Sequence, residues 1–467
     1  MRRKAVLTAA AFLVAIGLSA ARATAQGFSV YEHDACAMGR AGAGVASPCA
    51  GGSAIFFNPA GIVTGERAKW NVSFGVTMIP PRGSFTDSIS GLTTDLVKST
   101  IPVPAAYATR QVGAKWAVGI GVFAPYGLTT EWPTSFIGHF LSYKATIASI
   151  YVQPTIAFRP SPKLQVGLGV DLVHTSVELH QYAELSSRAA SSAATFAMLG
   201  VPVGTAFADA QIKGSGSAVG FHAGVIYRPM NSLSIGARYM SGVTITGKGL
   251  ASFRQLGTGI TLASGNPFGV PAGTPLDALL ASQFSPSSGT GRLITQGVSA
   301  TLPMPAQAVV GVNLALRPNL HLLGDIQFTQ WSKFAELPLS FNGPSTAQEL
   351  PADTLYEGYK DTYGYRVAAE YTASPKLTLR GGFLTHSAAA PTFTVTPLLP
   401  EGARAEYILG AGYQLTPGIR VDVAYQIITQ QDRRGRITEP PARGADVNTG
   451  LYKFSANLFG ASVAFAF

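Results

Sequence analysis

Ile419-Arg420-Val421-Asp422-Val423-Ala424-Tyr425-Gln426-Ile427 carries the pattern that decides the fold. Ile419, Val421, Val423, Tyr425 and Ile427 share one face, and Arg420, Asp422 and Gln426 share the other. A period of two belongs to extended chain, and one apolar and one polar face set the strand between two different phases. The pattern recurs upstream. Leu233, Ile235, Ala237 and Tyr239 oppose Ser234 and Arg238, while Leu377, Leu379 and Phe383 oppose Lys376, Thr378 and Arg380. Leu320, Leu322, Ile326 and Phe328 likewise oppose His321, Asp325 and Gln327.

The connections between these segments alternate in length. Tight turns are marked by Pro160-Ser161-Pro162-Lys163, Pro229-Met230-Asn231, Pro318-Asn319, Ser374-Pro375 and Pro417-Gly418. Long connections lie near 80–100, 126–144, 181–206, 251–290, 341–360, 387–404 and 430–450. An antiparallel meander with short turns on one rim and long loops on the other is the plan of an outer-membrane barrel. About fourteen strands are expected, an even number as such barrels require. They start near 67, 101, 114, 145, 163, 207, 231, 292, 319, 361, 375, 404, 418 and 453. A water-soluble sheet protein would turn the apolar face inward instead, and periodicity alone does not choose between the two. The predicted class is all-β, an antiparallel transmembrane barrel plugged by an N-terminal hatch.

Composition points the same way. Of 467 residues, 47% are apolar and only 12% charged, with 52 Gly and 30 Pro. Mean hydropathy is +0.23. So apolar a chain is not disordered. The one stretch approaching the roughly 20 apolar residues of a spanning helix is N-terminal. There Arg2-Arg3-Lys4, the apolar run Ala5 to Ala21 and Ala23-Thr24-Ala25 read as a secretory signal peptide over 1–25. Its removal leaves 30 basic and 24 acidic residues. That small surplus, without a dense basic patch, excludes nucleic acid as a partner.

Residues 26–66 are rich in Gly and Ala, lack alternation and precede the barrel, which is assigned to 67–467. A lumen of fourteen strands needs filling, so this stretch is expected to fold inward as a hatch, a flexible periplasmic tail being the alternative. Cys36 and Cys49, the only cysteines, form either one disulfide, as export permits, or two separate thiols. Phe459, Ala461, Val463, Phe465 and the terminal Phe467 alternate. A terminal aromatic on such a strand is expected to be read by the barrel assembly machinery, and outer-membrane lipids are expected around the wall. The seven histidines fall in no metal or nucleophile motif and G-x-S-x-G is absent. No catalytic residue, metal or cofactor is assigned. Loops 195–207 and 259–284 carry apolar residues that either capture ligand or cover each other.

The chain resembles the FadL/TodX-type outer-membrane transporters of long-chain fatty acids and hydrocarbons. The matching residues run along the mature chain: Gly27-Phe28, Gly39-Arg40-Ala41, Asn58-Pro59-Ala60, Tyr126-Gly127-Leu128 with Thr130-Glu131, and Gly167-Leu168-Gly169. Gly224-Val225-Ile226-Tyr227, Tyr239-Met240-Ser241, Trp331-Ser332-Lys333-Phe334, Glu357-Gly358-Tyr359-Lys360-Asp361 and Leu458-Phe459-Gly460 to Phe467 continue the set. The resemblance implies passive uptake of a hydrophobic small molecule: capture among the loops, a pocket near the N-terminus, and lateral exit at a kink in the third strand. It assigns Phe28 to the pocket, Asn58, Pro59 and Ala60 to the hatch beside the kink, and Tyr126 and Gly127 to the kink. Two pocket positions that are basic in the fatty-acid branch fall on Gln181 and Leu355, with His180 and Lys360 nearby as substitutes. An unpartnered buried carboxylate is costly, so the ligand is neutral, such as an aromatic hydrocarbon, or an acid binds protonated or by another contact. The competing functions are a diffusion porin or structural barrel and, further off, a barrel enzyme acting on lipids.

Overall fold

The computed structural model describes residues 27–64, 70–190, 194–286, 291–343, 350–435 and 448–467. The expected signal segment, 1–25, lies outside them. Fourteen strands form the wall: β1 Trp70–Ile79, β2 Ile101–Val112, β3 Trp116–Glu131, β4 Lys144–Ser161, β5 Leu164–Glu184, β6 Ala206–Met230, β7 Leu233–Met240, β8 Gln307–Arg317, β9 Leu320–Thr329, β10 Thr362–Thr372, β11 Leu377–His386, β12 Arg404–Thr416, β13 Ile419–Gln430 and β14 Gly450–Ala466. Each pairs antiparallel with the next, from β1 with β2 to β13 with β14. Asn71–Met78 pair with Phe459–Ala466, which closes the ring from β14 to β1. Closure leaves no exposed sheet edge, a condition for a sheet in lipid. Further strands such as Val243–Gln255 and Gln296–Met304 extend the wall at the long-loop end.

Exposure settles which phase each face meets. On β1, Phe74 is 52% exposed and Ser73 2%. On β13, Val423 is 50% exposed and Gln426 0%. Val118, Ile120 and Val122 of β3 and Leu168, Val170 and Leu172 of β5 are exposed, while Asp171 and Thr175 are buried. The apolar face is the outer one, the reverse of a water-soluble sheet protein, and it matches a lipid-facing belt around a polar lumen. No helix among the described residues is long and apolar enough to span a membrane; the strands do so.

Residues 27–64 fill the lumen. Helix α1, Ala35–Gly39, is capped where the Asp34 carboxylate accepts from Ala37 N at 3.0 Å. It touches β1 and β11–β14, while the 3₁₀ turn Pro59–Ile62 beyond α2 (Ala54–Phe57) touches β3–β6 across the ring. The Cys36 and Cys49 sulfurs are bonded, with Cα atoms 6.2 Å apart. Buried polar contacts dock this hatch on the wall. Arg40 pairs with Glu370 of β10 at 2.6 Å, and Arg380 joins Glu370 to Asp422 at 2.6 and 2.7 Å. Asp325 of β9 accepts from Gly44 N and Val45 N at 2.8 and 3.0 Å. Arg238 of β7 donates to Phe56 O at 2.7 Å.

Candidate functional site

The wall is faulted at β3. Trp116–Phe123 pair with β4 in one register and Tyr126–Glu131 in another, so Ala124 and Pro125 bulge between them. Proline has no N–H to give to a ladder, and a bulge bends its strand. On the opposite edge, pairing with β2 ends at Ala106–Val122. The next cross-wall bond runs from Val97 N to Glu131 O at 2.8 Å. Between these points β2 and β3 part.

The chain start occupies the freed backbone from inside. Val30 N donates to Pro125 O at 2.8 Å and Gly127 N to Phe28 O at 3.0 Å, making a bridge at Ser29–Tyr126. His33 Nε2 lies 3.0 Å from Ala124 O. Phe28 sits among aromatic rings, 4.6 Å from Trp331, 5.2 Å from Phe334 and 6.3 Å from Tyr126. Gly27 has φ +59°, and a Cβ there would lie 2.5 Å from the Trp331 ring, so both conformation and space call for glycine. Its N–H donates to Glu401 Oε1 at 2.9 Å. The same carboxylate accepts from Ala389 N and Ala390 N at 3.1 and 2.9 Å. Burial pushes its pKa up even so.

Beside this segment lies a cavity of about 510 Å³. Phe28, Val30, Tyr126, Gly127 and Leu128 line it on one side, Ile101–Pro104 on another, and Leu399, Ile428 and Leu458 on a third. Val122 and Ile150 also line it, and both are exposed on the outer face of the barrel. The cavity therefore runs from the N-terminal segment through the parting of β2 and β3 toward the lipid face. Its charged lining is Glu32, Glu401 and Arg404. A wider depression of about 980 Å³, lined by Arg82, Lys98 and Lys453, lies at the long-loop rim and shares Pro81, Gln430, Phe454 and Ser455 with it.

The residues singled out by sequence separate into groups. Phe28, Tyr126 and Gly127 line the cavity. Asn58 does not, nor do Pro59 and Ala60. The Asn58 amide donates to Val45 O at 2.6 Å and to wall carbonyls of Val225 and Ala237 at 3.0 and 3.2 Å, while its Oδ1 accepts from Ala60 N at 3.1 Å. It thus pins the hatch to β6 and β7. His180 is held by Tyr143 Oη at 3.1 Å and Glu178 at 2.7 Å. Gln181 and Lys360 are exposed, and Leu355 packs beside Ala251, Val298 and Leu339. None of these four lines the cavity. Loops 195–207 and 259–284 cover each other: Phe196, Val201 and Phe207 pack with Leu262, Leu276 and Leu280. Sequence reasoning does not reach Glu32, Glu401 or Arg404. For Arg404 one signal is available, its even-numbered register with the inward residues Glu406 and Ile408.

Residues 16–467 match the family described as outer membrane protein transport protein (OMPP1/FadL/TodX). Among curated relatives, a 47 kDa outer membrane protein of Pasteurella multocida is 26% identical, over 97% of each chain. A long-chain fatty acid transport protein of Escherichia coli is 24% identical, over 100% of each. In fold, a Pseudomonas aeruginosa FadL homologue superposes with TM-score 0.76 at 20% identity, covering 94% of this chain and 99% of that one. The Ralstonia pickettii toluene transporter TbuX gives 0.63 at 19% identity, covering 93% and 98%.

Proposed function

The chain belongs to the OMPP1/FadL/TodX family of outer-membrane transport proteins, and from that premise we propose that it takes up hydrophobic small molecules passively through the cavity behind the β3 bulge. The observation that carries this reading is the cavity's course, from the N-terminal segment to the lipid face at a break in the wall. An apolar cargo gains about 0.8 kcal/mol per CH₂ on leaving water, and a sideways exit releases it into the membrane without further hydration. The ligand enters from the loop side, where the depression lined by Arg82 and Lys98 shares residues with the cavity. Movement of residues 27–30, held to Ala124–Gly127 by a few backbone bonds, would open the path.

Deleting Pro125 tests the lateral route. Ala124 and Pro125 together oppose Ile150 of β4, so losing one residue restores a single register and keeps Phe123 and Tyr126 on the inner face while removing the bulge. Uptake of a fluorescent long-chain acid by proteoliposomes should fall at least tenfold in the deletion, with the barrel still folded. Uptake unchanged from the full-length chain would reject the route.

A further inference from the structure

The cavity is apolar except where Glu32, Glu401 and Arg404 reach it. The two acids are already engaged. Glu401 accepts from the three backbone N–H groups described above, and Glu32 accepts from Tyr31 N and Gln426 Nε2, both at 2.9 Å. Arg404 differs. Its Nε donates to Gln430 Oε1 at 3.2 Å, and Gln430 is itself held by donating to Pro400 O at 2.8 Å. Nη1 and Nη2 have no hydrogen-bond partner among the described residues, and no carboxylate there lies within 4.0 Å of them. Arg40 and Arg380 are held by carboxylates and Arg238 donates to Phe56 O and Gln307, while the buried Nε atoms of Arg238 and Arg366 have no hydrogen-bond partner among the described residues; none of these four lines the cavity, and Arg404 does. Glu401 feels the charge of the half-buried Arg404 guanidinium, yet the hydrogen-bonding capacity of its two Nη groups is left over for a ligand. Its planar fork matches a carboxylate with two parallel hydrogen bonds.

We propose that Arg404 anchors the carboxylate of a long-chain monoacid, whose tail fills the apolar part of the cavity toward the parting of β2 and β3. The inference rests on the reading of this cavity as the ligand site. A monoanion fits better than a doubly charged head, because Glu32 and Glu401 border the same end. Gln181 and Leu355 provide no cation, and His180 and Lys360 lie elsewhere, yet the cavity has a cation from a different strand. Gln430 acts as a positioning residue that aims it.

Equilibrium binding of oleate and of methyl oleate, which keeps the tail and removes the charge, tests the proposal on the purified full-length chain. The wild-type protein should prefer oleate. Arg404→Gln should weaken oleate by about 10- to 100-fold, the worth of one or two charge-assisted hydrogen bonds, and leave methyl oleate unmoved. Arg404→Lys should recover part of the preference. Equal wild-type affinity for both ligands would overturn the proposal with no variant needed. So would an undiminished preference in Arg404→Gln whose electrophoretic mobility still shows a folded barrel. If neither ligand nor hexadecane binds the wild-type chain, the reading of the cavity itself fails, an outcome distinct from the loss of charge selectivity alone.

Discussion

At the scale of single residues, Asn58 shows how the hatch is held. Its amide reaches three carbonyls, two of them on wall strands. It can come so close because the wall opposite is glycine: a Cβ on Gly224 would stand 2.1 Å from Asn58 Oδ1. Asn58→Ala would remove these contacts and leave Val45 O without its Asn58 donor, at about 1–3 kcal/mol for a buried acceptor. Hydrogen exchange in residues 54–62 should rise accordingly while the wall strands keep their protection. Glu32 adds a pH dependence. Burial and the neighbouring Glu406 raise its pKa from 4.5 to about 7. A carboxyl whose folded value is raised favours docking most below its unfolded value, and that contribution is lost as pH rises toward 7. Gln426, Tyr31, His386 and Arg366 also surround this acid pair. Hatch exchange, corrected for its intrinsic rate, should therefore increase between pH 5 and 8, and Glu32→Gln should flatten that rise.

At the scale of elements, the hatch is too short to hold itself together. Its helices have five and four residues, well below the length at which an isolated helix persists. The Cys36–Cys49 bond, spanning 13 residues, should contribute about 3 kcal/mol by restricting the undocked chain. Reduction should accordingly speed proteolysis of residues 27–64 without unfolding the barrel, and the unreduced chain should weigh two protons less than its sequence. Equal cleavage rates with and without reductant would contradict this. The wall itself was largely legible in the sequence. The expected start near 404 coincides with Arg404 of β12, and the expected 418 lies one residue from Ile419 of β13, because Pro and Gly mark the turns and alternation marks the strands between them. The eighth strand was less so. Expected near 292, it begins as Gln296–Met304, breaks at Pro305-Ala306 and resumes at Gln307. Alternation survives such a break, so no periodicity reveals it. The β3 fault falls at Ala124-Pro125, just ahead of the Tyr126-Gly127 pair that the family resemblance marked. Phe28 was legible as an N-terminal aromatic in a matching motif. Arg404 was not, because its meaning depends on a neighbouring cavity built from strands distant in sequence.

At the scale of the whole molecule, the charge-poor, apolar composition comes from an inverted arrangement. Apolar side chains face lipid, while acids and bases are drawn inward to lock a plug, as in the Arg40–Glu370–Arg380–Asp422 chain. A barrel so filled should pass little ion current. Planar-bilayer recording should show no large steady conductance for the full-length chain, and deletion of residues 27–64 should produce one. A porin-like conductance with the hatch intact would contradict a plugged transporter. The central claim, that the cavity between the N-terminal segment and the β3 bulge is where cargo binds, is tested most directly by diffraction from crystals soaked in a long-chain acid brominated at its tail. The bromine should lie inside the barrel wall near Val122, Leu128 and Ile147, with the acid head at Arg404. Bromine found only among the outer loops or in the surrounding detergent, with that cavity empty, would contradict it.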